Sequence, residues 1–260
     1  MAPETFGEPV QEETVRAKNF FARLGGVFSS PREAFTEIGR APRLVIPIIA
    51  LILISAFGGW YLAQKIDTQT AARTALDQAV RQGRITVEQM DRQLAMTSVT
   101  AGPVIAVAGS ITALILCLVI AGYGKLFSMG AGAENSFKNL LAVSVYAMLA
   151  VSVVSTVLAI IILQLKGGEG RIEIADAGSI VASNLGSWIE SAFGADALPK
   201  FILNLAKAVD IFNIWIIALL SIGYSAVSKK LKTSAAAVWL CGAYVICYMI
   251  NAAIRSVFGA

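Results

Sequence analysis

Of the 260 residues, 57% are Ala, Val, Ile, Leu, Met, Phe, Trp, Tyr or Cys before the 22 glycines are counted, and 15% are charged. Soluble domains average about 45–50% apolar with glycine included and about 25% charged. The composition excludes an ordinary soluble domain, and a mean hydropathy of +0.71 points to a chain that crosses a membrane several times.

The net charge is +4, but the cations are dispersed and build no nucleic-acid surface. The chain has no His, so the commonest general base and the commonest zinc ligand are both missing. Cys117, Cys241 and Cys247 lie in apolar stretches without a CxxC spacing and read as small apolar filler. No cofactor, no metal and no catalysis are expected.

In chain order, residues 1–19 form an acidic tail, poor in apolar residues and expected to be disordered. A five-span domain is expected from residue 20 to residue 260. It opens with Phe20, Phe21, Leu24, Val27 and Phe28 at helical spacing, with Lys18 and Arg23 beside them. That is the pattern of an amphipathic helix on a membrane surface. Ser30-Pro31-Arg32-Glu33 then starts a second helix, with Ser30 able to cap, Pro31 suited to the first turn and Glu33 completing a capping box. Gly39 is placed to close it ahead of Pro42. Both helices can pack on the spans or meet lipid or a partner.

A hydrocarbon core about 30 Å thick takes about 20 helical residues. Five stretches reach that length, at about 44–63, 101–122, 140–163, 209–227 and 235–254. The first begins too late and runs too long for a cleaved signal peptide, so it is expected to be an uncleaved anchor. Residues 66–98 read as an external helical hairpin broken at Gly83, with a capping box at Thr86 and Gln89. Residues 164–198 are glycine-rich, but the cluster at Gly167, Gly168 and Gly170 matches neither GxxxxGK(S/T) nor GxGxxG and reads as a turn. A short helix over 184–193 would bring Trp188 to the interface. Lys229, Lys230 and Lys232 are the densest cation cluster beside a span. Cation bias therefore places them and the N-terminus in the cytoplasm and the C-terminus outside, in the cytoplasmic (inner) membrane.

Spans four and five each carry a polar stripe. At about 100° per residue, Asp210, Asn213, Ser221, Tyr224, Ser225 and Ser228 fall near one line, with Trp215 and Leu219 opposite. On span five, Tyr244, Tyr248, Asn251 and Arg255 share a face. Such stripes either fix packing through interhelical hydrogen bonds or line a polar cavity for a solute. Equal rise from a turn near Lys232 brings Asp210 and Arg255 to similar depth, so an ion pair is expected there, with Lys207 as the competing cation.

Three stretches carry a family likeness: Gly26-Val27-Phe28-Ser29-Ser30-Pro31-Arg32-Glu33-Ala34-Phe35 before span one, Ser136-Phe137-Lys138-Asn139-Leu140-Leu141-Ala142-Val143 entering span three, and Asp210-Ile211-Phe212-Asn213-Ile214-Trp215 with Ile222-Gly223 in span four. In this order the chain resembles the prokaryotic branch of the Yip1 family over about residues 20–255. The resemblance implies a five-span membrane protein whose eukaryotic relatives work in vesicle traffic with Rab GTPases. The Asp-Leu-Tyr-Gly-Pro stretch of the eukaryotic branch is missing here, so a GTPase partner is not carried over. No proline follows Tyr146-Ala147-Met148-Leu149, where relatives often have one.

Together these features give an all-α polytopic protein with an N-terminal amphipathic segment. The expected role is that of a non-catalytic interaction or membrane-organising component. Its expected partners are the lipid bilayer and other membrane proteins or a second copy. A small transporter or channel using the two stripes is the alternative.

Overall fold

A computed structural model describes residues 19–165, 181–194, 198–228 and 230–258. The acidic tail, the cluster at Gly167, Gly168 and Gly170, and Lys229 lie outside the described residues, as does the side chain of Arg255. The elements are α1 (Phe20–Ser29), α2 (Pro31–Arg40), α3 (Val45–Ala63), α4 (Thr68–Arg81), α5 (Val87–Gly130), α6 (Phe137–Leu165), α7 (Leu185–Phe193), α8 (Lys200–Ala208), α9 (Ile211–Ala226) and α10 (Thr233–Phe258). No strand occurs among the described residues; an isolated bridge joins Asn184 to Asp210. The fold is all-α.

Four helices, α3, α5, α6 and α10, are long and apolar enough to cross a membrane. The fourth sequence span is shorter than expected, because Asp210 turns out of the helix to cap it and the regular part covers 16 residues, about 24 Å at 1.5 Å each. The second is longer. One arm of the hairpin, the span and the segment to Gly130 form a single 44-residue helix that continues through Pro103. The hairpin turn uses Gly83 at φ 67°, and the capping box forms as expected: Gln89 N donates to Thr86 Oγ1 at 3.2 Å and Thr86 N to Gln89 Oε1 at 2.9 Å.

α6 is the central helix, with buried positions concentrated from Leu140 to Val151. Its first half meets α2 and the last half of α9. A Cβ on Gly223 would strike Val143 Cγ1 and lie 3.1 Å from the Phe35 ring, so glycine is what lets α2, α6 and α9 converge. The start of α6 and the end of α9 therefore lie side by side. At the other end Ile211 N donates to Ser183 O at 3.1 Å and Leu185 N to Val209 O at 2.9 Å, which ties α9 to the segment following α6. α3 packs closely on α5: a Cβ on Gly59 would lie 3.2 Å from Ala106 Cα, and Ser110 Oγ donates to Ile52 O at 3.2 Å. Small residues that let backbones approach are the usual means of packing helices in lipid.

The N-terminal helices belong to this bundle. Val27, Phe35 and Ile38 join the main core with Val143, Tyr146 and Tyr224. Two expected caps did not form. Ser30 occupies the N-cap position of α2 without a side-chain cap bond. Gly39 lies inside α2 rather than closing it, because a Cβ there would meet Val227 Cγ1 at 2.7 Å; the glycine admits the end of α9. α8, between the expected short helix and span four, had no counterpart in the sequence reading.

Candidate functional site

The polar residues of spans four and five separate into two groups at opposite ends of α9. The first group, at the start of α9, surrounds Asp210. As N-cap its Oδ1 accepts from Phe212 N at 2.8 Å and Asn213 N at 3.2 Å, and its other oxygen accepts from the Ser183 hydroxyl. A carboxylate at a helix N-terminus meets unpaired N–H groups and the positive end of the dipole. These bonds stabilise the Asp210 carboxylate at the start of α9, and the expected partner Arg255 lies outside the described side chains. The competing cation Lys207 is engaged elsewhere, with its Nζ 2.8 Å from Glu190 Oε1.

Asn213 sits one turn along. Its Nδ2 donates to Tyr244 Oη at 2.8 Å, and Tyr244 Oη donates to Ala208 O at 2.9 Å. The Tyr248 ring packs at a tilt against Tyr244 with centroids 5.8 Å apart. The chain Asn213–Tyr244–Ala208 thus closes the Asp210 end of the α9–α10 contact. Asn251 is exposed on α10, and Arg255 lies outside the described side chains.

The second group, at the end of α9, centres on Tyr224, which faces α5 and α6 rather than α10. Its Oη donates to Ile120 O at 2.9 Å and lies 2.9 Å from Ser144 Oγ. The ring fills the space left by Gly124, where a Cβ would come within 2.5 Å of Tyr224 Cε2. Ser221 Oγ returns to Ile217 O of its own helix at 2.6 Å, and Thr233 Oγ1 donates to Ser225 Oγ at 2.9 Å. The stripe that looks continuous on a helical wheel serves two different interfaces.

The surface helix divides in the same manner. Phe20 and Leu24 pack against the core, whereas Phe21 is 77% exposed and Phe28 45% exposed. Arg23, a surface cation by sequence, turns inward and is 2% exposed. Its Nη1 donates to Ala41 O at 2.8 Å, and its Nε lies 3.3 Å from Glu37 Oε1. It thereby joins α1 to the carbonyl end of α2, where a cation is favoured. Sequence reasoning missed this residue, together with Ser144 and Gly124. A single Arg beside apolar residues carries no sign of inward direction, and Ser144 and Gly124 lie in runs without a visible stripe.

Three cavities lie elsewhere, among α3, α4 and α5 near Trp60 and Gln69, at the α5–α6 turn near Lys125 and Asn135, and between α5 and α10 near Trp239. None of the three is lined by Asp210, Asn213, Ser221, Tyr224, Tyr244, Tyr248 or Asn251.

Long apolar helices, glycine-mediated helix contacts and polar side chains bonded between helices define a multi-pass α-helical integral membrane protein. The Yip1 domain model matches residues 25–254, and the chain belongs to the Yip1 family. No curated protein and no solved structure matches it.

Proposed function

We propose that this protein is a non-catalytic, membrane-organising component of the prokaryotic Yip1 branch that works by contact with other membrane proteins or a second copy. The observation carrying this reading is the use of the interior polar groups. Asn213, Tyr244, Tyr224 and Ser144 bond to one another or to backbone carbonyls across helices, an arrangement that fixes packing and leaves few groups for a solute. The transporter alternative has no comparable feature in its favour. We further propose five crossings, with α9 as the short one, because the end of α9 lies beside the start of α6 and a turn leads from it to the long α10. The N-terminus, α1, α2 and the Lys230–Lys232 turn are placed in the cytoplasm, in the inner membrane.

The face formed by α1 and α2 is the proposed contact surface, since Phe21 and Phe28 project from it. Photo-crosslinking in native membrane from position 28, with position 73 on α4 as the comparison, tests the reading. Discrete protein adducts, to a second copy or to other membrane proteins, are expected from position 28 alone. Lipid adducts only, or the same adducts from both positions, would overturn it.

A further inference from the structure

α10 packs on α9 and α8 but not along α5, which leaves a groove between the end of α5 and the start of α10. The groove holds about 590 Å³, within the range of about 300–1,000 Å³ of small-molecule sites. Its floor is aromatic: the Phe127 and Trp239 rings are 4.7 Å apart, and Tyr123 Oη donates to Trp239 O at 3.2 Å. At its mouth are Lys230 and Lys232. Lys230 Nζ donates to Gly132 O at 3.2 Å, a carbonyl that leaves the ammonium charge uncompensated. Among the described residues neither lysine has a carboxylate within ion-pair distance, and Glu134 lines the neighbouring cavity instead.

The vertical order of these groups matches one class of molecule. Trp239 follows Lys232 by seven residues, about 10 Å along a helix, so two cations lie at headgroup level and a ring floor lies at the start of the hydrocarbon. On its outer side the groove opens past Leu126, which is 70% exposed, directly toward the bilayer. Deeper on α10 Gly242 is exposed and a Cβ there would meet nothing within 4 Å, so that surface is open beyond the groove.

We propose that this groove binds one anionic phospholipid, its phosphate at Lys230 and Lys232 and an acyl chain against Phe127 and Trp239. An acidic peptide would satisfy the lysines but would leave the bilayer-facing apolar wall unexplained. The inference needs only that the chain is embedded in a membrane, and it is independent of orientation and of the proposed contact role.

Native mass spectrometry of the full chain, released from detergent with equal amounts of phosphatidylglycerol and phosphatidylcholine, tests it. One phosphatidylglycerol should be retained in preference. A lysine near an anionic surface contributes about fivefold, so K230Q/K232Q should reduce that preference by at least about tenfold. R73Q/R81Q, on α4, should leave it unchanged. A235W, which fills the groove and spares both lysines, should also abolish retention. Equal retention of the two lipids, an effect of R73Q/R81Q as large as that of K230Q/K232Q, or undiminished retention by A235W would overturn the proposal. Displacement by soluble glycerol 3-phosphate as efficient as by phosphatidylglycerol would also overturn it, since the site would then recognise phosphate and not lipid.

Discussion

The hydroxyl oxygens of Tyr224 and Ser144 lie 2.9 Å apart although the residues are 80 positions apart in the chain. Two protons serve three contacts: Tyr224 Oη to Ile120 O, Ser144 Oγ to Leu140 O at 2.9 Å, and the two hydroxyls to each other. The Leu140 carbonyl is within reach of the ordinary helical N–H of residue 144. The tyrosine proton therefore goes to Ile120 and the serine proton can go to the tyrosine. One side chain links α5, α6 and α9.

Tyr224→Phe keeps the ring and removes the link, so it should destabilise the protein by about 1–2 kcal/mol. Gly124→Ala should destabilise it by about 1–3 kcal/mol, because the new methyl would force the buried ring aside. Gly122→Ala, where a Cβ meets nothing within 4 Å, should be neutral or stabilising by up to about 1 kcal/mol. Unfolding in mixed micelles measures all three, and equal effects at positions 122 and 124 would contradict the packing.

Arg23 and Glu37 form a pair with side-chain exposures of 1% and 19%. Removing one member of such a pair leaves a buried charge and typically costs about 3–5 kcal/mol. Glu37→Gln should therefore release α1 and expose it to protease. Arg23→Lys keeps the charge but not the fork that reaches Glu37 and Ala41 together, and should give an intermediate result. A wild-type digestion pattern for Glu37→Gln would count against this role.

Phe21 and Leu24 should behave differently although a helical wheel groups them. Leu24→Glu buries a charge against the core and should loosen the whole N-terminal segment. Phe21→Glu changes an exposed residue, so the fold should survive while α1 sits less deeply in the interface. Protease sensitivity reads the first effect, and quenching of a probe on α1 by lipid-borne nitroxide reads the second.

Four of the spans, the hairpin with its capping box and the helix after Asn184 were legible, because apolar length and cap chemistry are local properties. The extent of α5 was not, since the polar hairpin arm and the apolar span look like separate elements until one helix joins them. The site was legible as composition only. Asp210, Asn213 and Tyr244 do meet one another or one another's neighbours at the start of α9, but Tyr224 serves another interface. Periodicity says which residues share a face and not which helix that face meets. The inward turn of Arg23 was hidden for the same reason.

The proposed orientation rests on the cation bias. In a chain lacking Cys117, Cys241 and Cys247, a cysteine placed at Arg84 should react with an impermeant reagent from outside, and one at Lys230 only from the cytoplasm. The reverse pattern would invert the orientation, and reaction of both from one side would remove a crossing.

Whether the interior polar groups hold helices together or line a path is decided by water access to them. Ser144 and Ser221 are 1% and 2% exposed, and serine to cysteine changes little in size. Ser144→Cys and Ser221→Cys in the cysteine-free chain should stay unreactive toward a water-soluble thiol reagent in the native membrane, and react fully once denatured. Rapid reaction of either cysteine in the native state, slowed by a small solute, would mean a hydrated pathway and contradict the packing role.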